Sequence, residues 1–205
     1  HQYFIDSLLS LGAKSARYVS IDITKDTDLK TLSVEIEEQE GTINGVLHAA
    51  GVEGGQLITD ASWLEFDEVL SANIEGTLSV NAAFSNSDWI CYFSSSSAML
   101  GDFGSCSYAV GKRYQLALSV LNASVSSPKN TPRLISINWP LWKEGGMGVA
   151  NEDFTKLYLK SSGQSWLSEE PGIDAFETIL AGGHSHALVM MGAKSRIDAF
   201  LESNY

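Results

Sequence analysis

Short runs rich in β-branched and aromatic residues alternate with longer runs of helical periodicity along the whole chain, and this alternation constrains the fold most. Residues 16–23 (ARYVSIDI), 44–48 (NGVLH), 89–93 (WICYF), 133–138 (RLISIN) and 187–191 read as strands. Between and around them lie helical patterns ending at Leu11 and over 26–39, 61–84, 107–121, 152–160, 173–180 and 195–201. In the 61–84 segment Phe66, Val69, Leu70, Thr77, Val80 and Phe84 keep the three-four rhythm of one buried helix face. Trp89 to Phe93 is apolar without interruption, as a strand covered on both faces must be. Parallel strands need a crossover between them, usually a helix, so the alternation predicts an α/β fold: a doubly wound parallel sheet with helices on both faces.

A chain of 205 residues with 44% hydrophobic content fits one domain, 1–205, with a sizeable core. Its formal net charge of −12 argues against nucleic acid and against an anionic membrane surface, because both would repel it on approach. No apolar run reaches the ~18 residues of a membrane-spanning helix. The start, HQYFIDSLLS, lacks the basic and apolar regions of a signal peptide. His1 falls in what reads as mid-helix, so a fragment of a longer polypeptide is expected. Cys91 and Cys106 have no ligand spacing, and His1, His48, His184 and His186 are scattered. Reduced thiols, a cytoplasmic location and no metal site are the expectation.

Chemistry concentrates in FSSSSAMLGDFGSCSYAVGK (93–112). Tyr108 and Lys112 stand four apart at the start of a helix and so project from one face. Ser95 comes thirteen residues earlier, where a buried strand delivers it to the carboxyl edge of the sheet, the edge at which open α/β sheets hold ligands. A Tyr-x-x-x-Lys pair alone is common. Together with the strand-end serine and the intervening Gly101 and Gly104, it is specific. A phenol titrates near 10 and is a poor acid at neutral pH, but a neighbouring ammonium favours its ionised form.

These residues resemble the short-chain dehydrogenase/reductase family and, within it, the ketoreductase domains of modular polyketide synthases. The likeness also runs through VLHAAG (46–51), SANIEGT (71–77) and INWPLW (137–142). INWPLWKEGGMGV (137–149) is particularly similar to synthases served by separate acyltransferases. The resemblance implies a Rossmann-type fold and reduction, with NADPH, of a β-ketoacyl thioester on an acyl carrier protein to the β-hydroxyacyl thioester. Implied partners are the carrier protein and neighbouring synthase domains. Tyr108 would protonate the ketone oxygen, Ser95 would hydrogen-bond it, and Lys112 would hold the nicotinamide ribose. Asn73 would be the fourth catalytic residue, supporting Lys112 through a water relay. Many ketoreductases of synthases place lysine on the earlier helix and asparagine four after the tyrosine; here the order is Asn73 and Lys112.

The same resemblance puts His48, Ala49, Ala50 and Gly51 against the adenosine ribose, Asp22 with Ile23 at the adenine, and Pro140 and Leu141 against the nicotinamide. A turn or helix-start acid is an equal reading of Asp22. Residues 139–165 would form a lid, with Gly145-Gly146-Met147 as its hinge, and Trp139 and Trp142 either packing that lid or touching substrate. Glu53-Gly54-Gly55 and Leu100 stand where stereochemical markers often lie, so no configuration follows.

A Gly-rich pyrophosphate turn of the G-x-G-x-x-G kind is not found before VLHAAG. In the strand order 3-2-1-4-5-6, segments 16–23 and 44–48 would be the third and fourth strands, with two missing strands between them. Two other roles fit the sequence: a stand-alone reductase of a small free ketone or alcohol, and a reductase-like bracing unit without catalysis.

Overall fold

A computed structural model describes residues 1–52, 54, 58–101, 106–125, 131–144 and 152–204. Its elements, in chain order, are α1 (Gln2–Ser10), α2 (Asp26–Glu40), β1 (Gly45–His48), α3 (Trp63–Ala83), β2 (Trp89–Ser95), α4 (Ser97–Leu100), α5 (Cys106–Ser124), β3 (Arg133–Trp139), α6 (Glu152–Ser162), α7 (Glu169–Ala181), β4 (His186–Leu188) and α8 (Lys194–Asn204).

The four strands form one parallel sheet in the order β1-β2-β3-β4. Helix α3 connects β1 to β2 and α5 connects β2 to β3, so each strand is followed by the crossover that parallel pairing demands. Alternate residues of the two central strands serve two cores. On one face Ile90, Tyr92 and Leu134 pack with Leu29 of α2 and Val80 of α3. On the other, Cys91, Ile135, Ile137 and Trp139 pack with Leu167 and with Ile179 of α7. Ile90, Cys91, Tyr92, Ile135 and Ile137 are fully buried, each large side chain contributing roughly 1.5–3 kcal/mol through removal from water. Helices cover both faces, as the continuous apolar run of β2 requires.

Local chemistry fixes several boundaries. Ser62 accepts the Glu65 N–H while Glu65 accepts the Ser62 N–H, a capping box that starts α3. Gly41, at φ 91°, ends α2 in a conformation that side chains resist. Among the described residues no helix is long and apolar enough to cross a membrane.

One expected strand is not formed. Residues 16–23 make no ladder, because no strand lies beside them among the described residues, and strand structure requires a pairing partner. They follow the sheet through side chains instead. Ile21 and Ile23 pack against the Leu29–Tyr92 core, and Arg17 reaches Glu35 and Gln39 of α2. Helix α4 was not foreseen in the Ser/Gly loop after β2; four residues are too few to show a period. Cys91 and Cys106 are free thiols.

Candidate active site

Three elements bring the chemistry to the carboxyl end of the sheet. The turn after β1 presents Gly51, α3 presents Asn73, and the first turns of α5 present Tyr108 and Lys112. Lys112 is only 2% exposed. Its Nζ lies 5.3 Å from the centroid of the Tyr108 ring and donates to the Phe93 carbonyl at 3.4 Å. Burial pushes the ammonium down to about 8. It is still charged at neutral pH, and one long hydrogen bond leaves most of its donor capacity unused.

Asn73 is fully buried. Its Nδ2 donates to the Val69 carbonyl at 2.8 Å, whereas Oδ1 has no partner. A Cβ on Gly51 would stand 3.2 Å from Asn73 Oδ1 and 3.3 Å from Lys112 Nζ. An unused acceptor and an under-bonded cation therefore face one small notch that only glycine leaves open. Gly111 makes this possible from the other side. A Cβ there would lie 2.6 Å from the Cβ of Asn73, so the glycine lets α5 close on α3. Sequence reasoning missed Gly111, although a glycine inside a helix signals close packing.

Ser95 ends β2, in register with Trp139. Its Oγ accepts the Ser97 N–H at 3.2 Å and donates to Ser97 Oγ at 3.0 Å. Its proton is thus held by a neighbour that a substrate oxygen would have to displace.

The remaining sequence-designated residues divide. Pro140 is buried and Leu141 half-buried beyond the end of β3, and the Leu141 carbonyl accepts the Leu167 N–H at 2.9 Å. Ala49 and Ala50 are exposed. His48 turns inward: its ring is buried against Tyr92, with Nε2 3.0 Å from Thr77 Oγ1, so only its backbone faces the turn. Asp22 accepts from the N–H and hydroxyl of Thr24 at 3.0 and 2.8 Å, bonds that lower its pKa, and it heads the turn into α2. Ile23 lies in a notch at Gly76 of α3. Trp142 packs against Trp139 and fits a notch at Gly172 of α7. Gly104, Glu53, Gly55 and the Gly145-Gly146-Met147 hinge lie outside the described residues. Among the described residues no group of His, Cys, Asp and Glu could hold a metal ion.

The inward histidine gives a testable pH dependence. Burial, with Lys112 nearby, holds the His48 imidazole down at about 4, from an ordinary 6.5. Below pH 6.5 the unfolded chain takes up a proton that the folded chain refuses until about pH 4. The His48 contribution to stability is therefore full above 6.5 and falls by about 3 kcal/mol as pH drops through that window. His48→Gln should flatten this part of a denaturant-midpoint profile; an unchanged profile contradicts the assignment.

The model of the KR domain family matches residues 1–144. The chain belongs to that family. Among its relatives, the KR domain is 40% identical over 199 residues to polyketide synthase PksM of Bacillus subtilis, a match covering 96% of this chain and 5% of PksM. Polyketide synthase ThaG of Burkholderia thailandensis is 31% identical, over 94% of this chain and 4% of its own length. A crystal structure of a ketoreductase domain from the bacillaene assembly line superposes with a TM-score of 0.88 at 31% identity, over 97% of this chain and 48% of that one. An N-terminal ketoreductase from a macrolactin assembly line gives 0.84 at 29% identity, over 98% and 38%. The KR domain described here thus spans a small part of the curated synthases and less than half of the solved ketoreductases. Its parallel sheet with flanking helices is the Rossmann-like fold of these neighbours, and the family is one of oxidoreductases that bind a nicotinamide cofactor.

Proposed function

We propose that the chain carries the catalytic residues of a polyketide synthase ketoreductase, which reduces a β-ketoacyl thioester on an acyl carrier protein to the β-hydroxyacyl thioester with NADPH. The observation that carries this reading is the notch at Gly51, faced by the unpartnered Asn73 Oδ1 and the buried Lys112 Nζ, with Tyr108 beside the same ammonium.

The notch suits the nicotinamide-ribose half of the cofactor. A buried ammonium with donors to spare matches sugar hydroxyls, and the missing Cβ lets a flat ligand approach the backbone. No Gly-rich pyrophosphate turn occurs in the sequence, so the fit concerns that half alone. When bound, the nicotinamide supplies a hydride to the ketone carbon. Tyr108 gives its phenolic proton to the ketone oxygen and is left as a phenolate. The Lys112 ammonium, with its centre 5.3 Å from the ring centroid, stabilises that negative charge. The N-terminal end of the 19-residue helix α5 adds a positive partial charge, since Tyr108 is its third residue. Ser95 Oγ, turned from Ser97, donates to the same ketone oxygen and fixes its position. Backbone of Ala49 and Ala50 serves the cofactor's adenosine ribose, Gly51 at the end of that turn opens toward the nicotinamide ribose, and Pro140 and Leu141 border the nicotinamide. The lid expected over 139–165 includes residues outside those described, and 1–205 reads as one unit of the reductase. Asp22 and Ile23 remain at the adenine end.

The complete domain, given NADPH, is expected to turn over a carrier-bound β-ketoacyl thioester with kcat/KM about tenfold or more above that for a free small ketone, because remote contacts to the carrier and its arm assist the reacting centre. Equal or faster turnover of the free ketone would favour a stand-alone reductase. Absence of NADPH binding by the complete domain would favour a bracing role.

A further inference from the structure

A buried polar cluster behind the notch is unused by this reading. The Thr77 hydroxyl of α3 donates to the Asn73 carbonyl at 2.6 Å. It accepts from Gln115 Nε2 of α5 at 3.0 Å. His48 Nε2, at the end of β1, lies 3.0 Å from the same oxygen. A hydroxyl has one proton and two lone pairs, so the His48 contact must be an Nε2–H donation, and every valence of Thr77 Oγ1 is then filled. Asn73, Thr77 and Gln115 are fully buried, and His48 is 3% exposed.

This one oxygen ties together the three elements that build the notch. His48 stands three residues before Gly51. Thr77 stands one helical turn after Asn73. Gln115 stands three after Lys112 and seven after Tyr108, on the same side of α5. Asn73 is pinned twice, by the Thr77 hydroxyl on its carbonyl and by its own Nδ2 on Val69. What remains unbonded is Oδ1, the atom that faces the notch.

We propose that Thr77, braced by Gln115 and His48, is a positioning residue for the reaction: its hydroxyl fixes Asn73 Oδ1 and Lys112 Nζ relative to Gly51 without touching substrate. The proposal rests on the ketoreductase reading of the site. A hydroxyl needed only for stability would affect how much enzyme is folded, whereas a positioning hydroxyl affects turnover of the folded enzyme.

The test compares Thr77→Val and Thr77→Ser in the complete polypeptide, with kcat for NADPH-dependent reduction and Tm measured on each. Thr77→Val keeps the shape and removes the hydroxyl. It is expected to lower kcat by about 10²-fold, the scale of displacing a catalytic group by about 1 Å, and Thr77→Ser restores kcat. Ile179→Ala, in the core on the opposite face of the sheet, serves as a control that lowers Tm with kcat unchanged. If Thr77→Val does not fold, Gln115→Met, which leaves the Thr77 hydroxyl in place, carries the test and is expected to lower kcat in the same way. Wild-type kcat in folded Thr77→Val or Gln115→Met overturns the proposal, as does an equal kcat loss in Ile179→Ala. Tyr108→Phe separates the two levels. If it abolishes turnover while Thr77→Val does not, only the positioning role fails. If Tyr108→Phe turns over normally, the reading of the site fails.

Discussion

Tyr108→Phe in the complete domain is expected to lower kcat by about 10²–10⁴-fold, the usual contribution of a positioned proton donor, with Tm and NADPH affinity near those of the wild type. The substitution removes one oxygen and keeps the ring. The ring's contact with Lys112, whose Nζ is 5.3 Å from its centroid, survives without the phenol. The acid is lost while the ring stays, so NADPH binding and folding are measured beside turnover. A parallel loss of NADPH affinity would mean that Tyr108 binds rather than protonates.

Lys112→Met is the second large effect, and it has two signs. Turnover falls, because the charge that stabilises the phenolate is gone. Stability rises, because a cation buried to 2% exposure with one long hydrogen bond is replaced by an apolar side chain of similar length. The pH dependence of the wild type shows the same opposition. Lys112 titrates at about 8 in the folded protein, against an ordinary 10.5. Between these values the unfolded chain binds the proton more readily than the folded chain, so stability grows with pH by about 3 kcal/mol across the window. Over the lower part of that window kcat/KM declines as the ammonium is lost. Chemical denaturation and initial rates measured from pH 7 to 10 check both. Stability and kcat/KM moving in the same direction would place the titration elsewhere. Lys112 then belongs to the residues whose functional state is held at the expense of stability.

The path from sequence to site was clear where periodicity and spacing carry the information. Tyr108 and Lys112 at i and i+4 on one helix, and Ser95 at the end of an apolar strand, follow from the sequence alone, because 3.6 residues per turn and strand alternation are fixed geometry. Asn73 was visible as a polar residue on an otherwise apolar stripe. Thr77 lies on the same stripe and reads as part of it, since a threonine methyl suits an apolar face. Its hydroxyl acquires meaning only when Gln115 and His48, 38 and 29 residues away in sequence, arrive at it. A helix-face reading of α5 could have found Gln115, three after Lys112, as a second buried polar residue.

His48 shows the opposite limit. Its position before Ala49-Ala50-Gly51 suggested the cofactor, whereas the side chain faces the core and bonds Thr77. Residues 16–23 have strand composition, but composition cannot supply a neighbour, and strand structure lies in the pairing. Asp22 kept two readings in the sequence. The bonds from Thr24 show how it shapes its own turn.

The most direct test follows a deuterium label. The complete domain is incubated with a β-ketoacyl thioester and NADPH deuterated at the transferred position, and the product is analysed by mass spectrometry. The account predicts a β-hydroxyacyl thioester with deuterium on the former ketone carbon for the wild type, and almost none of it for Tyr108→Phe over the same interval. Unlabelled or absent product from the wild type, or equal labelled product from both proteins, would contradict it.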